Sequence, residues 1–302
     1  VTSRTRRRAE GALVALVLTV PFALGAASAD EPPEAKEAFT VTDHRIVESS
    51  GLTAQEIDGR TLFTTVNDSG DEARVFTLDP DTGDTAGVTT WSPGPRDIEA
   101  LTPASDGHVW VGDIGDNGFD RASIILTRVP VGEGDRTARS PQRRELVYPD
   151  RPRDAEALLR HPQNGRLFVI TKGAMGGQAY AVPPTDDGKA EGPQELVLEA
   201  DVPPLVTDGA FLPSGDFVLL RNYTHAQLLS YPSWEVLGSF ELPKQPQGEG
   251  LAVSEAGDIF ISTEGRDRPV LRVELPPELQ ERTGLTPSGI WARLRAFFAR
   301  LG

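Results

Sequence analysis

The sequence predicts an all-β fold, a β-propeller of five four-stranded blades, with six blades or a pair of stacked sheets as the alternatives. Three observations lead there. Between residues 38 and 276 no long helical period occurs, only short apolar or alternating runs punctuated by Gly, Pro and Asp-Gly turns. One short phrase recurs five times in the same order, the mark of a repeat architecture. The last copy lacks a strand that the N-terminal end of the domain can supply, and such an exchange closes a ring with few exposed edges.

The copies are Ser49-Ser50-Gly51-Leu52, Asp97-Ile98-Glu99-Ala100-Leu101, Asp154-Ala155-Glu156-Ala157-Leu158, Thr207-Asp208-Gly209-Ala210-Phe211 and Gln247-Gly248-Glu249-Gly250-Leu251. A glycine-bearing turn follows each one. An apolar strand then ends on a charged residue: Asp68, Asp113, Lys172, Arg221 and Glu264 in turn. Third and fourth strands are expected at Arg74–Leu78 and Gly87–Trp91, Ser123–Val129 and Arg144–Tyr148, Gln178–Val182 and Glu195–Glu199, and Gln227–Tyr231 and Glu235–Leu242. The fifth copy offers Val270–Glu274 and then meets Leu275-Pro276-Pro277, so its outer strand is expected from Ala38–Val47.

Residues outside the repeat read differently. Arg4, Arg6, Arg7 and Arg8, the apolar run Ala12–Leu24 and Ala27-Ser28-Ala29 form a signal peptide over residues 1–29, cleaved near Ala29, which predicts a secreted or extracytoplasmic protein. Residues 30–37 read as a linker, 38–277 as the propeller and 278–302 as a tail. In that tail Ile290, Trp291, Leu294, Phe297, Phe298 and Leu301 share one face of an amphipathic helix beside Arg293, Arg295 and Arg300. Docking on the propeller flank and peripheral contact with anionic lipid are its two readings.

Composition narrows the function classes. Without cysteine there is no disulfide framework and no thiol nucleophile. Without residues 1–29 the chain carries 26 basic and 44 acidic residues, a net charge of −18. Nucleic acid is excluded as a partner on that ground, since binding it rests on neutralising phosphates. A cation or a small-molecule or peptide ligand suits the surface better, and the protein is expected to be a monomer.

The start of an inner strand lies beside the end of the next strand in an antiparallel hairpin. Ser50 should therefore meet Asp68, Glu99 meet Asp113, Glu156 meet Lys172, Asp208 meet Arg221 and Glu249 meet Glu264 on one rim around the channel. Asp97 and Asp154, two residues before Glu99 and Glu156, should point the same way. We expect this rim, with Tyr223 beside it, to bind the ligand, and Glu156 and Glu249 are the candidate general bases. The stretch Gly112–Arg121 offers Asp113, Asp116 and Asn117 as hard oxygen ligands suited to Ca²⁺, with self-capping Asx turns as the other reading. No G-x-S-x-G, H-E-x-x-H or P-loop pattern is present.

Ser50-Gly51-Leu52, Asn67-Asp68-Ser69-Gly70, Asp97-Ile98-Glu99, Gly112–Asn117, Asp154–Ala157, Thr171-Lys172, Thr207-Asp208, Leu220-Arg221 and Ser262–Gly265 together resemble a group of secreted bacterial propellers of mostly unassigned function. More distantly the chain is similar to SdiA-regulated-type and to phytase-like or esterase-like propellers. That resemblance implies calcium in an acidic channel and, in some relatives, ester or phosphoester hydrolysis. The dense acidic run of an alkaline phytase is not reproduced beyond the rim. The leading expectation is an extracytoplasmic binding propeller that holds a cation and a small ligand or protein segment. A calcium-dependent hydrolase is the first alternative and a cell-envelope interaction protein the second.

Overall fold

The computed structural model describes residues 35–68, 70–185 and 192–285. The signal peptide expected over residues 1–29 and the amphipathic helix expected near residues 290–301 both lie outside them. Among the described residues the chain forms five sheets whose inner strands are β2 (Ser49–Ile57), β6 (Ile98–Ala104), β11 (Ala155–Arg160), β16 (Asp208–Phe211) and β20 (Gly248–Val253). These five contact one another in the cyclic order β2, β6, β11, β16, β20 and back to β2. The fold is a closed five-bladed propeller.

Second strands follow at β3 (Arg60–Asn67), β7 (His108–Asp113), β12 (Leu167–Thr171), β17 (Phe217–Arg221) and β21 (Ile259–Thr263). The turns between them carry out local instructions. Ile57 pairs with Arg60 around Asp58-Gly59, both at positive φ, the two-residue turn that matches strand twist. Third and fourth strands are β4 (Arg74–Leu78) and β5 (Thr85–Trp91), β8 (Ile124–Pro130) and β10 (Gln142–Val147), β13 (Gly177–Ala181) and β15 (Val197–Val202), and β18 (His225–Ser230) and β19 (Val236–Glu241).

The fifth blade has only β22 (Pro269–Val273) as its third strand. Its outer strand is β1 (Lys36–Thr40), antiparallel to β22. This strand starts and stops earlier than the expected 38–47. Past Thr40 the chain turns away, with Thr42 N–H bonded to Gly83 O and Asp43 bound to Arg45 and Thr85.

The long second and third copies do not make a sixth blade. Their extra residues add parallel edge strands to the blade before: β9 (Arg136–Ala138) lies along β5, and β14 (Gln194–Glu195) along β10. Edge cover of this kind satisfies backbone groups that would otherwise template association.

Side chains alternate between the two neighbouring blades, so the core is divided into five clusters, one in each gap. Leu101, Val109 and Val111 of the second blade meet Val66 and Val75 of the first. On the opposite face Ala100, Trp110 and Leu126 meet Leu158 and Val169 of the third. The fifth gap joins Phe260 and Val270 to Leu52 and Phe63, which closes the ring. At one point the inner strands of the fifth and first blades approach closely: a Cβ on Gly250 would come within 2.9 Å of Leu52 Cβ. The short helix α1 (Pro277–Thr283) seats Leu279 in the gap between the fourth and fifth blades. Among the described residues no helix is long and apolar enough to cross a membrane.

Candidate functional site

The acids of the repeated phrase gather at the end of the channel where the inner strands begin. A register irregularity places them. In the first three blades Ser50, Glu99 and Glu156 are each skipped between successive cross-strand partners. In the fifth, Glu249 and Gly250 together oppose the single residue Ser262. An extra residue of this kind bends the strand and re-aims its side chain. The fourth blade has no such bulge, and Asp208 pairs with Arg221 in plain register.

The consequence is a division of labour. Asp208 is spent on the wall: its carboxylate accepts Leu251 N–H at 2.7 Å and Gly209 N–H at 2.8 Å. Arg221, 1 % exposed, donates to Gly250 O at 2.9 Å and Ser262 O at 3.2 Å, and so ties the fourth blade to the fifth. Burial holds its guanidinium down at about 10. The bulged acids instead act on one another across the channel. Glu99 feels Glu156, Asp68 and Asp97, Glu156 feels Glu249, and Glu249 feels Lys172 and Arg221.

Three carboxylates stand closest. One ligand oxygen from each of Asp68, Asp97 and Glu99 lies within 4.8 Å of the other two. Glu99 is 4 % exposed and takes a 3.2 Å hydrogen bond from Ser50 Oγ. Asp97 Oδ1 is buried with no hydrogen-bond partner. The backbone at Gly115 fits against this pair: a Cβ there would come within 2.5 Å of Asp97 Oδ2 and 2.6 Å of Glu99 Oε1. Burial first, then the neighbouring acids, pushes the carboxyls of Glu99 and Asp97 upward. Two ionised oxygens 4.8 Å apart repel by about 3.5 kcal/mol at an effective dielectric of ~20, so the trio calls for a proton or a cation.

Beside the trio, Lys172 Nζ donates to Glu156 Oε1 at 2.9 Å and sits 5.3 Å from the centre of the Tyr223 ring. Burial opposes the ammonium, yet Glu156 and Tyr223 outweigh it and raise Lys172. Burial raises Glu156 despite Lys172. Glu249, also 4 % exposed, leaves Oε2 buried without a partner. Gln247 Nε2 reaches Glu249 Oε1 at 3.4 Å and Glu264 Oε1 at 2.7 Å, linking the two acids. Burial, then Glu249, lifts Glu264 to about 7.

The carboxylates of the Gly112–Arg121 loop are taken up by protein donors. Asp113 receives Asp97 N–H at 2.9 Å and Arg96 N–H at 3.2 Å, and pairs with Arg121 at 2.8 Å. Asp116 caps the N–H groups of Asp120 and Arg121, while its own N–H donates to Asp154 Oδ1. Asn117 is exposed. Thus Asp113 and Asp116 hold Asp97, Gly115 and Asp154 in place around the trio. Sequence reasoning assigned no role to Ser50 as a donor to Glu99, to Arg121 as the partner of Asp113, or to Gln247 as a bridge. Gln247 was legible by alignment, since it stands two residues before Glu249 as Asp97 and Asp154 stand before Glu99 and Glu156.

No protein-family profile and no curated protein matches the sequence. Among solved structures the chain is similar to a glucose dehydrogenase at 11 % identity and a TM-score of 0.49, over 81 % of this chain and 100 % of that one. It is also similar to a candidate 6-phosphogluconolactonase from Bacteroides uniformis, at 12 % identity and a TM-score of 0.40, over 83 % of this chain and 70 % of that one.

Proposed function

We propose that the protein is an extracytoplasmic propeller that binds a hard divalent cation, Ca²⁺ by ligand chemistry, between Asp68, Asp97 and Glu99. The carrying observation is the mutual approach of those three oxygens within 4.8 Å, with Asp97 Oδ1 buried and unpartnered. Carboxylate oxygens are the ligands such ions prefer. The cation would satisfy Asp97 and relieve the repulsion inside the trio. Lys172 and Tyr223, across the same mouth, supply an ammonium and an aromatic face for a small polar or anionic ligand beside the ion. The basic and apolar stretch over residues 4–24 supports the extracytoplasmic part of this reading.

Thermal unfolding of the protein after chelation, and again with millimolar Ca²⁺, tests this reading. A ligand that binds only the folded state adds about 2.7 kcal/mol at a hundredfold excess over Kd. The melting temperature should rise with Ca²⁺ in the natural protein and not in Asp97→Asn or Glu99→Gln. Equal melting curves with and without the ion would sink the proposal.

Glu249 favours a second reading, hydrolysis of an ester or phosphoester. Its buried Oε2 has no partner, and Gln247 connects it to Glu264, whose carboxyl is poised near neutrality. In that reading Asp68, Asp97 and Glu99 would hold an ion that could supply Lewis-acid polarisation of a substrate oxygen, and Glu249 would take a proton from water. Turnover of chromogenic esters and phosphoesters that needs Ca²⁺ and is lost in Glu249→Gln supports it. Absence of turnover across both panels leaves binding as the function.

A further inference from the structure

The channel has a second mouth, where a half-buried guanidinium replaces the buried carboxylates of the first. A cavity of about 490 Å³ opens at the far ends of the inner strands, lined by residues of all five of them and by the turns that follow. Its lining is mixed: Pro103, Ala104, Ala210 and Val253 offer half-buried apolar surface, beside the polar Gln55 and Ser254. One cation also lines it, Arg160, at the end of β11. Arg160 is half-buried, and among the described residues no carboxylate lies within ion-pair reach of it. Burial, and then the nearby Arg128, lowers its guanidinium. The acids of this mouth, Glu56, Asp106 and Glu255, are all exposed, where solvent and salt screen them.

We infer that this mouth is a second binding site, for a small organic anion with an apolar body such as a medium-chain carboxylate. The size lies within the range of small-molecule pockets. An uncompensated guanidinium beside apolar walls costs solvation that a carboxylate repays through charge-assisted hydrogen bonds. The apolar chain of the same ligand gains by leaving water for the Pro103, Ala104, Ala210 and Val253 surface. A neutral alcohol of equal length would gain only the second term, and a short inorganic anion only the first. The site is independent of the acidic rim, which lies at the other ends of the same strands.

Calorimetric titration of the full chain with octanoate and with octanol, both in chelator, tests the inference. Octanoate should bind saturably and more tightly than octanol. Arg160→Gln should weaken octanoate roughly tenfold or more and leave octanol unchanged, because only the charge-assisted contact is removed. Arg160→Lys should recover part of the loss, which guards against a folding defect. Val253→Trp, which fills the cavity, should abolish both heats. Asp97→Asn, at the acidic end, should change neither. Absence of saturable octanoate binding, equal affinity in Arg160→Gln, or loss in Asp97→Asn instead would each overturn it.

Discussion

Lys172 Nζ lies 2.9 Å from Glu156 Oε1, and the pair is enclosed by the third and fourth blades with the Tyr223 ring 5.3 Å from the ammonium. Glu156 is 6 % exposed along its side chain and Lys172 21 %. A buried pair of this kind is a weak source of stability but a costly thing to break, because removal of one member strands the other. Lys172→Met should therefore destabilise the protein by about 2–4 kcal/mol, toward the lower part of the range because Lys172 keeps some solvent. Lys172→Met combined with Glu156→Gln should recover much of that loss. Urea melts of the two single variants and the double variant measure it, and additive losses would show that the pair is not coupled.

Stability of the cation-free protein should fall as pH rises. Glu99, Glu156, Glu249 and Glu264 are all displaced upward by burial above all; neighbouring acids add to it at Glu99 and Glu264, while Lys172 opposes it at Glu156 and Glu249. For a carboxyl held above its ordinary value, the folded state binds the proton more tightly than the unfolded chain does. Its contribution is fully present below the unfolded value and is lost between that value and the folded one. For Glu264 the window runs from 4.5 to about 7. In chelator the melting temperature should decline across this interval, and Glu264→Gln should make the decline shallower. Ca²⁺ should reverse the trend, since the ion competes with protons for the same oxygens. A chelated protein whose melting temperature rises over that interval contradicts the electrostatics described for the rim.

Gly115 gives the cation reading a test that spares every ligand. Its hydrogen points at the Asp97 and Glu99 carboxylates, and a Cβ would intrude on both. Gly115→Val should displace those side chains and cut the Ca²⁺-dependent rise in melting temperature to a small fraction. The fold, closed elsewhere by five inter-blade clusters, should persist in circular dichroism. An undiminished Ca²⁺ response would place the ion away from the trio.

The fold was legible because a propeller repeats its instructions. Each inner strand, turn and second strand is written locally, and β4 and β17 fall where the apolar runs and turns put them, at Arg74–Leu78 and Phe217–Arg221. What pairs across sequence distance was harder to read. β9 and β14 are three and two residues long, lie on blades other than those their sequence neighbours build, and carry no apolar run. The bulges were invisible for a related reason. Period-two alternation assumes one residue opposite one, while Glu99 and Glu156 are the residues that break this count. Asp208 looked equivalent to them in sequence and differs because its strand keeps register. Arg160 and its cavity left no trace in the repeat, since the cavity is made by what the five strands leave open.

Arg221 should behave as a fastener of blades. Its guanidinium reaches Gly250 O and Ser262 O from within the wall, so Arg221→Met leaves those carbonyls buried and unsatisfied. A loss of about 3–5 kcal/mol is expected, comparable with other broken buried charge networks. The Ca²⁺ response of the protein that still folds should survive, because Arg221 contacts none of the trio. Measuring melting with and without the ion separates the two effects. A stable Arg221→Met variant that no longer responds to Ca²⁺ would reverse the assignment and make Arg221 part of the site.

The fifth blade is completed by β1, and Phe39 is the residue through which that strand is anchored to the first blade. Phe39 is 6 % exposed, its ring centre lies 5.0 Å from that of Phe63, and Phe63 in turn packs edge-on against Phe260 at 4.9 Å. One strand thus joins the first and last blades by side chains while its backbone pairs with β22. Phe39→Ala removes the shared ring and should cost about 3–5 kcal/mol, the usual penalty for truncating a buried aromatic. The loss should be local before it is global. With β1 loosened, the edge of β22 is uncovered, so native-state proteolysis should begin near residues 36–47 well below the melting temperature. Hydrogen exchange should show the same order, with β22 exposed before β21 and the inner strand β20. If Phe39→Ala instead melts in one step with uniform exchange across the fifth blade, the terminal strand is no separable clasp, and the ring opens only when the whole sheet does.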